Sequence, residues 1–452
     1  MTQGKFRFTS ALTSSGWQKN VAVAVDQNGM IESVAADAKD GALIPGIAIP
    51  AVPNVHSHAH QRLMVGLAER AGPGADSFWT WREAMYGFAL KLSPDDLEAV
   101  AAQAYVEMLK AGFSCVGEFQ YLHHQPDGSA YDEPAEMSLR CISAADEAGI
   151  AITMLPTLYN YAGFGGQAPT AGQRRFVNGA DRFLEIYETL KAVCGASPLR
   201  RLGISPHSLR AVTPELLKTV LDGIDDARVH IHVAEQSKEV DDCLAWCGKR
   251  PVEFLLDQFD VSGRWCTIHA THMTADETQG LAKSGAIAGL CPTTEANLGD
   301  GIFPADSFIK LGGAIAIGSD SQITISPAED LRMLEYSQRL RDCTRNALAS
   351  GAGASTGRCL FDAVLKGGDS CLDSSMGGIA VGMRCDIAVL DNEHAVMLGR
   401  EGDAALDTWI FSAGNAAVKD VIVGGSHVVK DRRHIHEDRI QKRFRETVRR
   451  MS

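Results

Sequence analysis

The sequence predicts an α/β chain, a TIM-like (β/α)8 barrel carrying a small β-sandwich domain built from both termini. Three observations carry that prediction. From residue 47 to residue 375, short Val- and Ile-rich runs alternate with segments of helical period. Residues 1–46 and 376–452 lack this alternation and read largely as β-structure with Gly turns. Finally, His, Glu and Asp stand at the ends of several strand-like runs, which is where a barrel of this type keeps its active site.

The N-terminal part, NVAVAVDQNGMIESVAA, sets two apolar runs around Gln27-Asn28-Gly29, and Asn-Gly is a strong hairpin signal. The first barrel strand is expected in IAIPAVPNVHSH. The segment SPDDLEAVAAQAYVEMLKAG predicts a helix. Ser93 caps it, Pro94 suits its first turn, Asp95 and Asp96 complement its dipole, and Gly112 stops it. Strand SCVGEFQYL follows, then helix 134–149, strand AITMLPTLY, helix 180–193 and strand LGISPHSL. Helix 214–224, strand VHIHVAEQ, helices across 239–259, strand WCTIHATH and helix 274–284 come next. Strands IAGLCPTTEAN and AIAIGSDS complete eight strand-like runs, most of them followed by a helix. The span of roughly 320 residues lies toward the upper part of the range for the fold. In the tail, GGIAVGMRCDIAVLD and VKDVIVGGSHVVKD are expected to pair with the N-terminal hairpin. The last stretch, DRIQKRFRETVRR, is a basic amphipathic helix and reads as a solvated terminal one.

Composition narrows the function. The chain has 452 residues, 45% hydrophobic and 22% charged, which is ordinary globular usage. A net charge of −13 repels phosphate backbones and argues against a nucleic-acid partner. Eleven cysteines without CxxC pairs read as free thiols of a reducing compartment, and Cys243 and Cys247 as core packing. The stretch MTQGKFRFTS has no apolar signal region and no run of 18 apolar residues occurs, so no membrane segment and a cytoplasmic location are expected.

Chemistry concentrates at the strand ends. His56 and His58, at i and i+2, share one face of a strand and can converge on one point. His60 keeps the parity but falls where the strand turns into a loop, and is not expected to be a ligand. His232 and Glu235 end the fifth strand, His269 the sixth and Asp320 the eighth. Singly, each could be a hydrogen-bonded core residue; jointly they point to a metal site. Three imidazoles and one carboxylate suit Zn²⁺ with an open position for water. Asp320 and Glu235 can then move protons.

H-x-H on strand one, H-x-x-E on strand five, His on strand six and Asp on strand eight resemble the amidohydrolase superfamily. So does the flanking sheet drawn from both termini. The resemblance implies a barrel of the amidohydrolase type. Binuclear members carry a lysine on strand four, where this chain has LGISPHSLR. That departure implies one Zn²⁺ per chain, held by His56, His58, His232 and Asp320, as in the deaminase branch. A closer resemblance covers nearly the whole chain, through HSHAHQRLMVGLAER, DSFWTWREAMY, HVAEQSKEVDDCLAWCGKRPVEFLLD, CPTTEANLGDGIFP and EYSQRLR. These stretches are similar to the N-formimino-L-glutamate deiminases of histidine degradation. In two places the chain departs from their pattern: His60 replaces an aromatic residue, and Gln322 stands where a histidine is usual.

That resemblance implies a small dianionic substrate, hydrolysed to N-formyl-L-glutamate and ammonia, and commonly a homodimer. Catalysis would fall to Glu235, His269 and Asp320. Arg82 and Arg210 are the expected carboxylate partners, since a guanidinium pairs two-pronged with a carboxylate. Gln61, Tyr121 and His207 are expected to add hydrogen bonds. The competing reading for Arg82 is a surface salt bridge, or packing with Trp79 and Trp81. Two rival functions stay open. One is an aminohydrolase of a purine or other heterocycle, which would favour stacking and amide groups over two arginines. The other is a non-catalytic assembly protein, which should have lost metal ligands that this chain keeps.

Overall fold

Both chain ends meet in one eight-stranded sheet. The computed structural model describes residues 4–70 and 78–451; residues 1–3, and Asp76 and Ser77 of DSFWTWREAMY, lie outside the described residues. The N-terminal strands are β1 (Gly4–Thr13), β2 (Gly16–Val25), β3 (Ile31–Ala35) and β4 (Ala42–Pro50). The Asn-Gly hairpin is present: β2 pairs antiparallel with β3, and Gly29 takes φ 82° in the turn. Strand β4 runs parallel to β1 and continues to Pro50, past the boundary expected at residue 46. Residues 47–50, expected in the first barrel strand, therefore belong to the terminal sheet. The ladder breaks there because Pro50 brings no N–H and the N–H of Ala51 goes to Asp386 O.

The barrel begins with β5 (Val52–Ser57), followed by α1 (Phe78–Ala89), α2 (Pro94–Ala111), β6 (Phe113–Gln120), α3 (Glu136–Ala148) and β7 (Ala151–Leu158). After α4 (Ala180–Gly195), the fourth strand comes in two pieces, β8 (Arg200–Leu202) and β9 (Ser205–Pro206). Next are α5 (Pro214–Asp222), β10 (Val229–Val233), α6 (Ser237–Cys247), α7 (Pro251–Gln258), β11 (Trp265–His269) and α8 (Ala275–Ser284). The last units are β12 (Ile287–Leu290), α9 (Pro292–Leu298), α10 (Ala305–Lys310), β13 (Ala314–Ile317), α11 (Pro327–Asp342) and α12 (Thr356–Leu372).

The strands run parallel in the orders β5-β6-β7-β8, with β9 on β7, and β10-β11-β12-β13. Parallel bridges Ile204–Val229 and Ser208–His232 join the two arcs on one side, and Ser57–Asp320 closes the ring on the other. Strands β5, β6, β7, β10, β11 and β12 are buried at every residue, as parallel strands covered on both faces must be. The helix expected after Ser93 is present with a full capping box to Asp96, and Gly112 ends it at φ 101°. One expected strand, IAGLCPTTEAN, is corrected. Strand β12 stops at Leu290, and Pro292 starts α9, because proline cannot donate to a ladder but suits a first helical turn.

The tail adds β14 (Ile387–Leu390), α13 (Asp403–Thr408), β15 (Val418–Val423), β16 (Ser426–Lys430), β17 (Arg433–His434) and α14 (Glu437–Met451). The sheet order β17-β16-β15-β14-β4-β1-β2-β3 interleaves the two ends of the chain. Phe8, Val21, Val23, Ile31, Ile387, Val389 and Ile422 share a core of their own. A buried Arg384–Asp386 pair at 2.6 Å anchors this sheet to the barrel, since Ser114 Oγ of β6 donates to Asp386 Oδ2 at 2.8 Å. Among the described residues, no helix is long and apolar enough to cross a membrane.

Candidate metal centre and active site

His56 is the penultimate residue of β5 and His58 the first residue past its end, two positions on, so both imidazoles face the same side. His56 Nε2 lies 3.0 Å from His232 Nε2, brought in by β10. Asp320 Oδ1, just past β13, is 3.5 Å from the Nε2 atoms of both His56 and His58. His56, His58 and Asp320 are all buried, and their ligand atoms lie close enough to share one ion. Two rings are fixed from behind. Nδ1 of His58 is 2.9 Å from Phe119 O, and Nδ1 of His232 is 2.9 Å from His207 O. Each Nδ1–H donates outward, so each Nε2 offers its lone pair inward, which is the arrangement a metal-ligating imidazole needs. Burial also lowers the basicity of all three imidazoles, His56 to about 3, so they stand neutral. This donor set fits a divalent metal ion.

Beside it, His269 Nε2 lies 3.7 Å from both Glu235 Oε1 and Asp320 Oδ2. Burial pushes the Glu235 carboxyl up to about 7. Burial acts the same way on Asp320, but its contact with the His56 imidazole outweighs it and holds this carboxyl below the usual range. His269 is raised to about 10: burial opposes its charge, and Glu235, Glu295 and Asp320 more than offset that. The strand ends here are bent. Ala234, His269, Ala270 and Asp320 all have φ between 47° and 68°, a strained region for residues other than glycine that clusters at working sites.

One cleft gathers the expected substrate residues above this centre: Gln61, Arg82, Tyr121, His207 and Arg210 line it together with His58, His232, Glu235, His269 and Asp320. His56 sits directly beneath, in contact with His232. Arg82, on α1, stacks its guanidinium 4.5 Å from the Trp79 ring centre, and Arg210 approaches the same ring at 5.7 Å. The Nε atoms of both arginines are buried and have no hydrogen-bond partner among the described residues. Arg210 Nε is 3.9 Å from Glu239 Oε2. Gln61 Nε2 donates to Tyr121 Oη at 3.1 Å, and Gln61 Oε1 is buried without a hydrogen-bond partner among the described residues. His207 Nδ1 lies 3.1 Å from Ser208 Oγ.

His60 turns to Tyr121 Oη, 2.9 Å from its Nε2. Gln322 is fully buried and donates from Nε2 to Ser57 Oγ at 3.0 Å and to Asp320 O at 2.9 Å, bracing the turn that carries Asp320. Sequence reasoning passed over three other residues. Glu239 accepts the N–H groups of Ala234 and Glu235, both at 3.2 Å. Glu295 contacts His269 Nδ1 at 3.2 Å. Tyr159 lines the cleft at the end of β7. Only Tyr159 had a usable signal, its place at a barrel strand end.

Comparison with known proteins shows the family. The amidohydrolase family model matches residues 43–428, and the chain belongs to that family. Within it, formimidoylglutamate deiminase of Pseudomonas aeruginosa is 51% identical over 437 residues, 96% of each chain. An amidohydrolase structure from Brucella melitensis superposes with a TM-score of 0.94 at 47% identity, covering 99% of this chain and 100% of that one. An adenosine deaminase from Xanthomonas campestris with bound zinc shares the fold at a TM-score of 0.83, with 21% identity over 99% of this chain and 98% of that one.

Proposed function

We propose that this protein is a formimidoylglutamate deiminase of histidine degradation, hydrolysing N-formimino-L-glutamate to N-formyl-L-glutamate and ammonia in the cytoplasm. One observation carries the choice of substrate. Arg82 and Arg210 face one cleft with incompletely bonded guanidinium groups, in a protein of net charge −13. Such a pair suits a molecule with two carboxylates. A heterocycle would leave Arg82 without a carboxylate among the described residues and Arg210 with only Glu239, 3.9 Å away.

His56, His58, His232 and Asp320 would hold a single Zn²⁺, and among the described residues no lysine lines the cleft to bridge a second ion. When bound, zinc lowers the pKa of water toward 7 and so supplies a nucleophile at neutral pH. The protein's own groups do the rest. Arg82 and Arg210 bind the carboxylates and fix the formimino carbon over the centre. Asp320 Oδ2 accepts a proton from the attacking water. Oxygen bonds to the formimino carbon as the C=N π bond opens toward nitrogen. Glu235, protonated near neutrality, delivers a proton to that nitrogen. His269, facing both Glu235 and Asp320, steadies the developing negative charge on oxygen. The hydroxyl proton then moves through Glu235 to that nitrogen, the C–N bond breaks, ammonia leaves, the formyl C=O forms, and the proton on Asp320 returns to Glu235.

The test is ammonia release from N-formimino-L-glutamate by the zinc-loaded enzyme, with adenosine-type and other ring substrates as controls. Release from a ring compound alone would move the heterocycle aminohydrolase ahead. A homodimer accompanies this reading, and sedimentation would measure it.

A further inference from the structure

The stretch CPTTEANLGDG marks the family in the sequence, yet the mechanism above uses none of its side chains. In the fold it forms α9, and Glu295 sits in the first turn of that helix, buried behind the sixth strand. Its Oε1 accepts the N–H of Cys291 at 2.8 Å and lies 3.2 Å from His269 Nδ1. Its own helix thus fixes the carboxylate, and the carboxylate then meets the ring nitrogen that faces away from the cleft. The opposite nitrogen, Nε2, points to Glu235 and Asp320. Strand β11 does not impose this orientation by itself, because His269 and Ala270 have φ of 68° and 47°, away from strand geometry.

We infer that Glu295 is the positioning residue of His269, holding Nδ1–H so that Nε2 is presented to the reacting centre. The inference rests on the deiminase reading only in what His269 faces. A carboxylate behind an imidazole fixes both the tautomer and the ring plane, and losing such a partner costs about 10–100-fold in function. A second possibility for the same atoms is a metal ion held by His269, Cys291 and Glu295, whose ligand atoms lie near one another. It would require a thiolate at Cys291, and burial, with Asp320 and Glu295 nearby, pushes that thiol well above its ordinary range.

The experiment compares Glu295→Ala, Glu295→Gln, His269→Ala and the double variant Glu295→Ala/His269→Ala as zinc-loaded enzymes. Glu295→Ala is expected to lose about 10–100-fold in kcat with KM nearly unchanged and metal content retained. Glu295→Gln keeps an acceptor for Nδ1–H and should recover most of that loss. The double variant should be no slower than His269→Ala, because a residue acting only through His269 has nothing left to position. A second readout needs no turnover. In protein labelled with ¹⁵N-histidine, the exchange-protected His269 Nδ1–H signal should vanish in Glu295→Ala and persist in Glu295→Gln, which also serves if the alanine variant folds poorly. Wild-type kcat in Glu295→Ala, additive losses in the double variant, or an unchanged Nδ1–H signal would each overturn the inference. So would a second ion per chain that Glu295→Ala loses.

Discussion

Glu235 and Asp320 approach the same His269 nitrogen at 3.7 Å, but their surroundings drive them apart. Burial lifts Glu235 to about 7, whereas the His56 contact holds Asp320 down. A pair separated in this way can divide the work of acid and base. Glu235→Gln keeps the shape and removes the proton, so kcat should fall at least about 10²-fold with zinc content unchanged. Near-normal turnover would remove Glu235 from the mechanism. Arg210 makes a different test. Its guanidinium is buried, and the nearest carboxylate, Glu239, is 3.9 Å away and engaged with two backbone N–H groups. Arg210→Met should cost about 1.5–3 kcal/mol of carboxylate binding, or roughly 10–150-fold in kcat/KM. Metal content should stay constant, since Arg210 is not a ligand. Wild-type kcat/KM in this variant would take away the main physical support for a dicarboxylate substrate.

At the scale of elements, His123 ties the end of β6 to β7, its Nε2–H donating to Thr157 O at 2.8 Å. Burial lowers this imidazole from 6.5 to about 3. The fold holds the neutral form, so the full stability is present above pH 6.5. Below that, the unfolded chain binds a proton that the folded chain refuses. Stability then falls by up to about 1.4 kcal/mol per pH unit, until pH nears the folded value. His123→Gln keeps a donor and cannot titrate. Urea midpoints between pH 6.5 and 4.5 should therefore decline less steeply in the variant, and equal slopes would clear His123. The βα alternation was legible because strands buried on both faces read as unbroken Val and Ile runs, and because Ser93 and Gly112 punctuate their helix. The break at Ala51 was not, since β4 and β5 form one continuous apolar stretch and only tertiary pairing separates them. Helix α9 hid for a related reason: seven residues are too few to show a helical period. The site followed the same rule. Its ligands stand at strand ends and could be read. Glu239 and Glu295 act from the first turns of α6 and α9 through backbone N–H groups, where no spacing announces them.

At the scale of the whole molecule, the proposed metal centre is where the barrel closes. His56 comes from β5 and His58 from just past its end, His232 from β10 and Asp320 from the residues after β13, so the ends of the first, fifth and eighth strands meet at one point. The ring itself joins β5 to the eighth strand at the same place, where the Ser57–Asp320 bridge is made by His58 N–H donating to Asp320 O and Asp320 N–H donating to His56 O. An ion there links strands that are distant in sequence, and the unfolded chain has no such site to offer. Binding to the folded state alone stabilises it by RT ln(1 + [L]/Kd), about 4 kcal/mol at a thousandfold excess over Kd. Chelation should therefore remove activity and lower the melting temperature together. Titrating Zn²⁺ back should restore both along one curve that saturates at one ion per chain. His58→Ala should flatten that curve by removing a ligand, whereas Arg210→Met should leave it unchanged. Recovery that needs two ions per chain would overturn the single-ion centre. Recovery of activity without any rise in melting temperature would show that the ion does not brace the closure.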